Sequence, residues 1–202
     1  AIDLNNLLEL DKWILEEFKD LHKDVLGHYE SYSYHLVVQR IHNFCVNQLG
    51  GVYLDIIKDR QYTTQQNSEI RRSAQTAMKL MIDKLVVLVA PILSFTAEEI
   101  WQNDADLKAN KASVFLAELD SIPDFDSNLD HESWSRLLEI KDNVNQKIEE
   151  SRNAGEIKGS LDTEIELTVN TSDFQLLNNL STELHFFFIV SSCNLVQVDD
   201  LE

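Results

Sequence analysis

A chain of 202 residues with 44% hydrophobic residues, 5 Gly and 2 Pro suits one folded domain, or one plus a small appendage, and this composition favours a helix-rich globular protein over a disordered one. Seventeen basic against 35 acidic residues give a net charge of −18, the reverse of the basic footprint that nucleic-acid binders usually carry. No apolar run reaches the roughly 18 residues of a membrane span and no signal peptide opens the chain, so a cytoplasmic protein without membrane contact is expected.

Residues 1–8 read as a frayed lead-in. From Leu10 to about Tyr29 the apolar residues Trp13, Ile14, Phe18, Leu21, Val25 and Leu26 recur at the helical period. Ser31 to Ser33 break that helix. A central helix then covers 34–62, where Val37, Ile41, Phe44, Leu49, Val52, Tyr53 and Ile56 mark one buried face. Gly50-Gly51 inside it is unfavourable by roughly 2 kcal/mol against two alanines, so close helix contact or a local irregularity is expected there. The run ends in Lys58, Asp59, Arg60 and Tyr62. Two readings of that cluster stand: a solvated terminus whose cations complement the helix dipole, or polar groups delivered to a functional edge.

A third helix over 69–90 has Ser68 as its N-cap and a buried stripe of Ala74, Ala77, Met78, Met81, Leu85 and Leu88. Arg71 and Arg72 in its first turn oppose the dipole by a few tenths of a kcal/mol each, which points either to a phosphate contact or to pairing with acids on a neighbouring helix. Pro91 ends this helix. Thr96 to Glu99 form a capping box before a short helix whose Trp101 belongs to the core.

Residues 103–131 read as an acidic linker, with Val114, Phe115, Leu116 and Leu119 against the bundle. Ser133 caps a helix to about Ala154, with Trp134, Leu137, Leu138, Ile140, Val144 and Ile148 inward and Lys141, Lys147 and Arg152 on its polar side; Gly155 ends it. From Leu161 the period becomes 2: Leu161, Ile165, Leu167 and Val169 form a half-buried strand. A helix over 172–180, an ambiguous 185–190 and a second strand over 194–198 complete a small α/β appendage. The predicted fold class is mainly α, a helical bundle with that appendage. The expected divisions are 1–131 for the bundle core with its linker, 132–158 for a long helix completing the bundle, and 159–202 for the subdomain. Leu201-Glu202 reads as a cloning scar.

Charge is uneven along the chain. Residues 61–101 hold 4 basic and 4 acidic side chains and 136–159 hold 5 of each, whereas 160–202 hold 8 acidic and no basic ones. A polyanion would therefore meet the neutral segments and the Lys58/Arg60 edge.

The run YLDIIKDRQY, with RRSAQTAMKLMIDKLVVLVAPILSFTAEEIW after it, resembles the tRNA anticodon-binding region of class I aminoacyl-tRNA synthetases. Asp55-Ile56-Ile57-Lys58-Asp59-Arg60 resembles the bacterial isoleucyl branch in particular, and Leu10-Asp11-Lys12-Trp13 is similar to the family's way into the bundle. KIEESRNAGEIKGSLDTEIELTV, residues 147–169, is similar to that branch as well, and the likeness extends from Leu10 to about Val198. The resemblance implies a module that positions tRNA(Ile), beside catalytic and editing domains of the same polypeptide that lie outside this sequence. It also implies ATP and magnesium in the parent enzyme, and zinc in further segments. The His-x-Gly-His and Lys-Met-Ser-Lys-Ser motifs by which that class activates an amino acid do not occur, and neither do phosphate-loop or nucleophile-elbow patterns, so no catalytic residue is expected. His28, His35 and His42 are spaced by seven but separated by the 31–33 break, and Cys45 and Cys193 lie outside any CxxC pattern, so no metal ligands are assigned.

The candidate RNA-binding residues are Lys58, Arg60, Tyr62, Arg71 and Arg72, with Lys147, Arg152 and Lys158 near the appendage. Tyr62 is either a stacking aromatic or a packed one, and Lys58 and Arg60 either touch RNA or brace a catalytic domain. The rival class is an acidic helical module docking a basic protein; a valyl-type synthetase is the rival within the family.

Overall fold

The computed structural model describes residues 2–198; Leu201-Glu202 lies outside them. The chain divides into two compact units, one of residues 1–53 and 65–126, the other of 54–64 and 127–202. It is mainly α-helical, with a two-stranded parallel sheet near its end.

In the first unit, α1 (Glu9–Glu30) and α2 (Tyr34–Asn43) are followed by π-type turns over Phe44–Tyr53. These wide turns are the irregularity expected around the glycine pair. A Cβ on Gly50 would lie 2.9 Å from the Cys45 carbonyl oxygen, and one on Gly51 would lie 3.1 Å from that of Val46. Both obstacles are carbonyls five residues back, the acceptors of a π turn, so the glycines make room for the widened backbone itself.

α4 (Glu69–Val89) starts at the expected cap: Ser68 Oγ accepts from the Arg71 amide at 3.4 Å. α1 and α4 run in the same direction, tied at their starts by the Leu8 amide donating to Ser73 Oγ (2.9 Å) and at their ends by Tyr29 Oη donating to the Leu88 carbonyl (2.7 Å). Residues 2–8 are held accordingly: Leu4–Asn6 form a 3₁₀ turn and Leu7 is buried, which corrects the frayed reading for them. Asp11 is fully buried and accepts from Tyr53 Oη (2.7 Å) and Ser73 Oγ (2.5 Å). The acid of the Leu-Asp-x-Trp run is thus a buried tie between α1, the central run and α4, which needs its hydrogen bonds to be tolerated in the core.

α5 (Ser94–Asn103) begins two residues before the expected capping box. Its N-cap position is Leu93, without a side-chain cap, and Ser94 Oγ donates back to the Ala90 carbonyl at 2.9 Å. The turn after Pro91 runs directly into helix, so Thr96 lies inside it and the capping box does not form. Trp101 is core as expected, its Nε1 donating to the Lys111 carbonyl at 2.8 Å. The 103–131 stretch is more ordered than a linker. Asp104 caps α6 (Ala105–Asn110) through the Asp106 and Leu107 amides, and Val114 is buried with Trp101 and Leu107. Phe115, Leu116 and Leu119 are exposed, contrary to expectation, because a 3₁₀ turn over Val114–Leu116 directs only one side chain inward.

In the second unit, α3 (Leu54–Thr63), α7 (His131–Asn153), α8 (Thr171–Asn178) and α9 (Leu184–Phe188) accompany β1 (Glu164–Val169) and β2 (Ser192–Gln197). The strands pair in parallel with Glu164 opposite Ser192 and Val169 opposite Gln197, connected through α8 and α9 as a parallel pair requires. α7 is capped by Asp130, whose carboxylate accepts from the Ser133 amide at 2.9 Å; Ser133 is the recipient rather than the cap. Gly155 ends that helix at φ +77°, a conformation glycine adopts without strain. The ambiguous 185–190 stretch is the end of α9, closed by Ile189 at φ 55°. Leu161 lies in a 3₁₀ turn before β1 and is exposed.

Candidate nucleic-acid interface

The second unit presents α3 by two of its faces. Lys58 and Tyr62, one turn apart, are exposed, and the Tyr62 side chain is open to solvent over 86% of its surface. Lys58 Nζ meets Asp55 Oδ1 at 2.7 Å, and this hydrogen bond raises the lysine pKa. Arg60 points the other way. It is fully buried and its guanidinium donates to the buried carboxylate of Glu183, just before α9. Of the two sequence readings of Arg60 neither applies here: it is an internal tie that fixes α3 on α9, and it offers no surface to a phosphate. The register carried this signal, since Ile56, Ile57 and Arg60 share the inward face.

Beside that pair lies a second buried cation. Lys141 was expected on the polar side of α7, but it occupies the stripe of Leu137, Val144 and Ile148 and is buried. Its Nζ donates to the Phe187 carbonyl at 2.5 Å and sits 5.3 Å from the Phe187 ring centroid. Burial lowers its pKa to about 8, against the opposing pull of Asp55 and Asp142. His185 is lowered as well, by burial and by the nearby Arg60 charge.

Farther along α7 the remaining candidates are exposed: Lys147 pairs with Glu150 at 2.8 Å, Arg152 with Glu149 at 2.6 Å, and Lys158 follows the Gly155 turn. Lys147 and Arg152 project about 140° apart around the helix axis by its period, so they do not form one stripe. Lys147 also edges a groove of about 620 Å³ between α7 and β1 whose lining includes Ile140, Val144, Ile148, Ile165 and Leu167. Arg136, Asn143, Glu166, Thr168, Asn170 and Asp173 line it as well, so the groove is of mixed character. Arg136, which no sequence signal singled out, is held by both oxygens of Asp173 (3.0 and 2.8 Å) and by Glu139 (2.7 Å), and so is structural.

In the first unit, Arg71 and Arg72 stand half-buried in the opening turn of α4. Lys58, Lys147 and Arg152 are thus each paired to a carboxylate three residues away on the same helix. Such surface pairs contribute about 0–1 kcal/mol, so a phosphate can take over the cation at small cost. Exposed cations, and an exposed tyrosine one turn from Lys58, describe a surface able to bind a polyanion.

A family profile described as the anticodon-binding domain of tRNA ligase matches residues 11–167. The chain is 41% identical over 202 residues to the isoleucine–tRNA ligase of Teredinibacter turnerae, covering 99% of this chain and 21% of that protein. It is 43% identical over 192 residues to that of Legionella pneumophila (95% and 20%) and 42% identical over 198 residues to that of Saccharophagus degradans (97% and 21%). The chain therefore spans about a fifth of the length of these curated relatives. It belongs to the anticodon-binding domain family of tRNA ligases.

Proposed function

We propose that this chain is the anticodon-reading module of an isoleucine–tRNA ligase, positioning tRNA(Ile) for an ATP-dependent isoleucylation performed elsewhere on a longer polypeptide. The observation that carries this reading is identity of 41–43% to isoleucine–tRNA ligases over 95–99% of the chain. The ATP and magnesium of that reaction, a zinc site and the catalytic and editing domains belong in this reading to the rest of the polypeptide, of which this chain would be about a fifth.

The anticodon is single-stranded, so its bases can splay and stack on an aromatic ring, each stacked base being worth about 1–3 kcal/mol. Tyr62 supplies such a ring, and Lys58 one turn away supplies a cation that exchanges Asp55 for a phosphate. Lys147, Arg152 and Lys158 are the second group of phosphate contacts, and Arg71 and Arg72 the contribution of the first unit. Arg60 acts indirectly, by fixing the helix that carries Lys58 and Tyr62. With few cations and a net charge of −18, binding will be weak and its salt dependence shallow.

The test is binding of the chain to a tRNA(Ile) transcript and to an anticodon-swapped copy, at low and moderate salt. Preference for the native anticodon supports the reading. Equal weak binding assigns specificity to the rest of the polypeptide, and no binding at low salt transfers the argument to a protein-docking role.

A further inference from the structure

The shortest α-helix of the second unit is α9, five residues over Leu184–Phe188, too few to hold a helical shape alone. Its N-cap residue, Glu183, makes no capping bond to a helix amide. At the other end Ile189 closes it at φ 55°, a left-handed conformation that a β-branched side chain rarely adopts. What holds this helix comes from outside it, and both ends are held by buried cations. At its start the Glu183 carboxylate receives the Arg60 guanidinium of α3. At its close the Lys141 ammonium of α7 donates to the Phe187 carbonyl at 2.5 Å. That carbonyl is one of the last-turn acceptors that a helix leaves without an internal partner.

The position of α3 depends on this short helix. α3 packs chiefly on α9, and α9 in turn packs on α7 and β2. α3 carries the exposed Lys58 and Tyr62, and α7 carries the exposed Lys147 and Arg152. The spacing between these two groups is therefore set through α9.

Lys141 is an unfavourable way to make such a contact if packing is all that matters. It lies in the inward stripe of α7 with Leu137, Val144 and Ile148, and forms no ion pair among the described residues. Burial disfavours its charged form, while Asp55 of α3 and the adjacent Asp142 favour it. A methionine would fill similar space without a desolvated charge, and replacing buried ionic groups by apolar ones is often neutral or stabilising. What methionine lacks is the donor, and only a donor can hold a carbonyl at the end of α9.

We infer that Lys141 is a positioning residue: through the Phe187 carbonyl it holds α9, and with α9 the helix α3, so that Lys58 and Tyr62 stand at a fixed distance from Lys147. The consequence for RNA rests on reading α3 as part of the anticodon-binding surface. The positioning itself does not.

Paired spin labels at Tyr62→Cys and Lys147→Cys, in the 202-residue chain with Cys45→Ser and Cys193→Ser, read that distance without RNA. The distance distribution should be narrow in the parent and about twofold wider in Lys141→Met, as the released helix samples further arrangements. Val144→Ala is the control for simple destabilisation. It opens a cavity one turn away on the same stripe, so it should lower the melting temperature yet leave the distribution narrow. An unchanged width in Lys141→Met overturns the inference, as does equal broadening in Val144→Ala or a broad distribution in the parent. Loss of the cooperative melt in Lys141→Met also overturns it, since Lys141 would then support the fold as a whole.

A double-variant cycle with tRNA(Ile) reads the consequence. Tyr62→Ala should weaken binding about fivefold in the parent, and less than about twofold in the Lys141→Met background, where an unpositioned ring has little contact to lose. Losses that simply add overturn the inference. No effect of Tyr62→Ala in the parent counts instead against the RNA reading of α3, and the label distance then decides the positioning by itself.

Discussion

Arg60 is the residue at which the difference between a charged sequence position and a charged surface matters most. Its guanidinium is buried against Glu183, and a buried pair of this kind is much harder to break than to replace. Arg60→Met should lower unfolding free energy by about 3–5 kcal/mol, because it strands the Glu183 carboxylate. The double change Arg60→Met with Glu183→Met should recover most of that loss in urea titrations; a double variant as unstable as the single one would mean that the pair does more than neutralise itself. Lys141 gives a pH dependence with a definite sign. Its folded pKa, about 8, lies below the ordinary lysine value of 10.5, so from pH 8 to 10.5 the unfolded chain holds the extra proton. Stability contributed by this group therefore rises as pH rises through that window, and is absent below it. Cys193, pushed up to about 11 by burial, works in the opposite direction, so the quantity to measure is the difference between the parent and Lys141→Met. The stability of the parent relative to that variant should rise by about 3 kcal/mol at most between pH 8 and 10.

At the scale of elements, the glycine pair decides the shape of the central run. Alanine is the better helix former by about 1 kcal/mol, yet Gly50→Ala should destabilise, since its Cβ would meet the Cys45 carbonyl at 2.9 Å. A stabilised Gly50→Ala in thermal melts would show that the π turns relax to α-helix without loss. Helix interiors were readable from periodicity: α1 and α4 lie within one residue of expectation, while α7 begins three residues before the start that a Ser133 cap implied. Helix starts were less so. Ser68 caps as its type predicts, but Asp130 outcompetes Ser133, and α5 begins at an uncapped Leu93 because the preceding turn already has helical hydrogen bonds. The 103–131 stretch, dominated in sequence by its acids, orders around Leu107 and Val114 because Trp101 offers them a core.

For the molecule as a whole, charge distribution and exposure set the expected behaviour toward RNA. Lys58→Ala with Tyr62→Ala should weaken tRNA(Ile) binding about tenfold while leaving the fold intact, a stacked ring and one phosphate contact being lost. Arg72→Ala should weaken it less, without altering anticodon preference, if its role is to meet phosphate; filter binding against native and anticodon-swapped transcripts reads both quantities. A pair of variants that binds as the parent does would remove α3 from the interface. Among the described residues no helix is long and apolar enough to cross a membrane, and both cysteines are free thiols.

What the sequence by itself determined was the helical class, the presence of two strands near the end, the core positions of Trp101 and Trp134, and the family, because periodicity and motif wording are local properties of the chain. It also left Lys58 and Tyr62 as candidates, and these are the α3 candidates that the fold leaves exposed. What only the tertiary structure decided was the fate of the charges and rings that periodicity alone did not place. Arg60 and Lys141 look like surface cations until Glu183, just before α9, supplies a carboxylate and Phe187 of α9 a carbonyl that are absent from their own helices. Burial depends on which surface a distant element covers, and that choice is made by the whole fold.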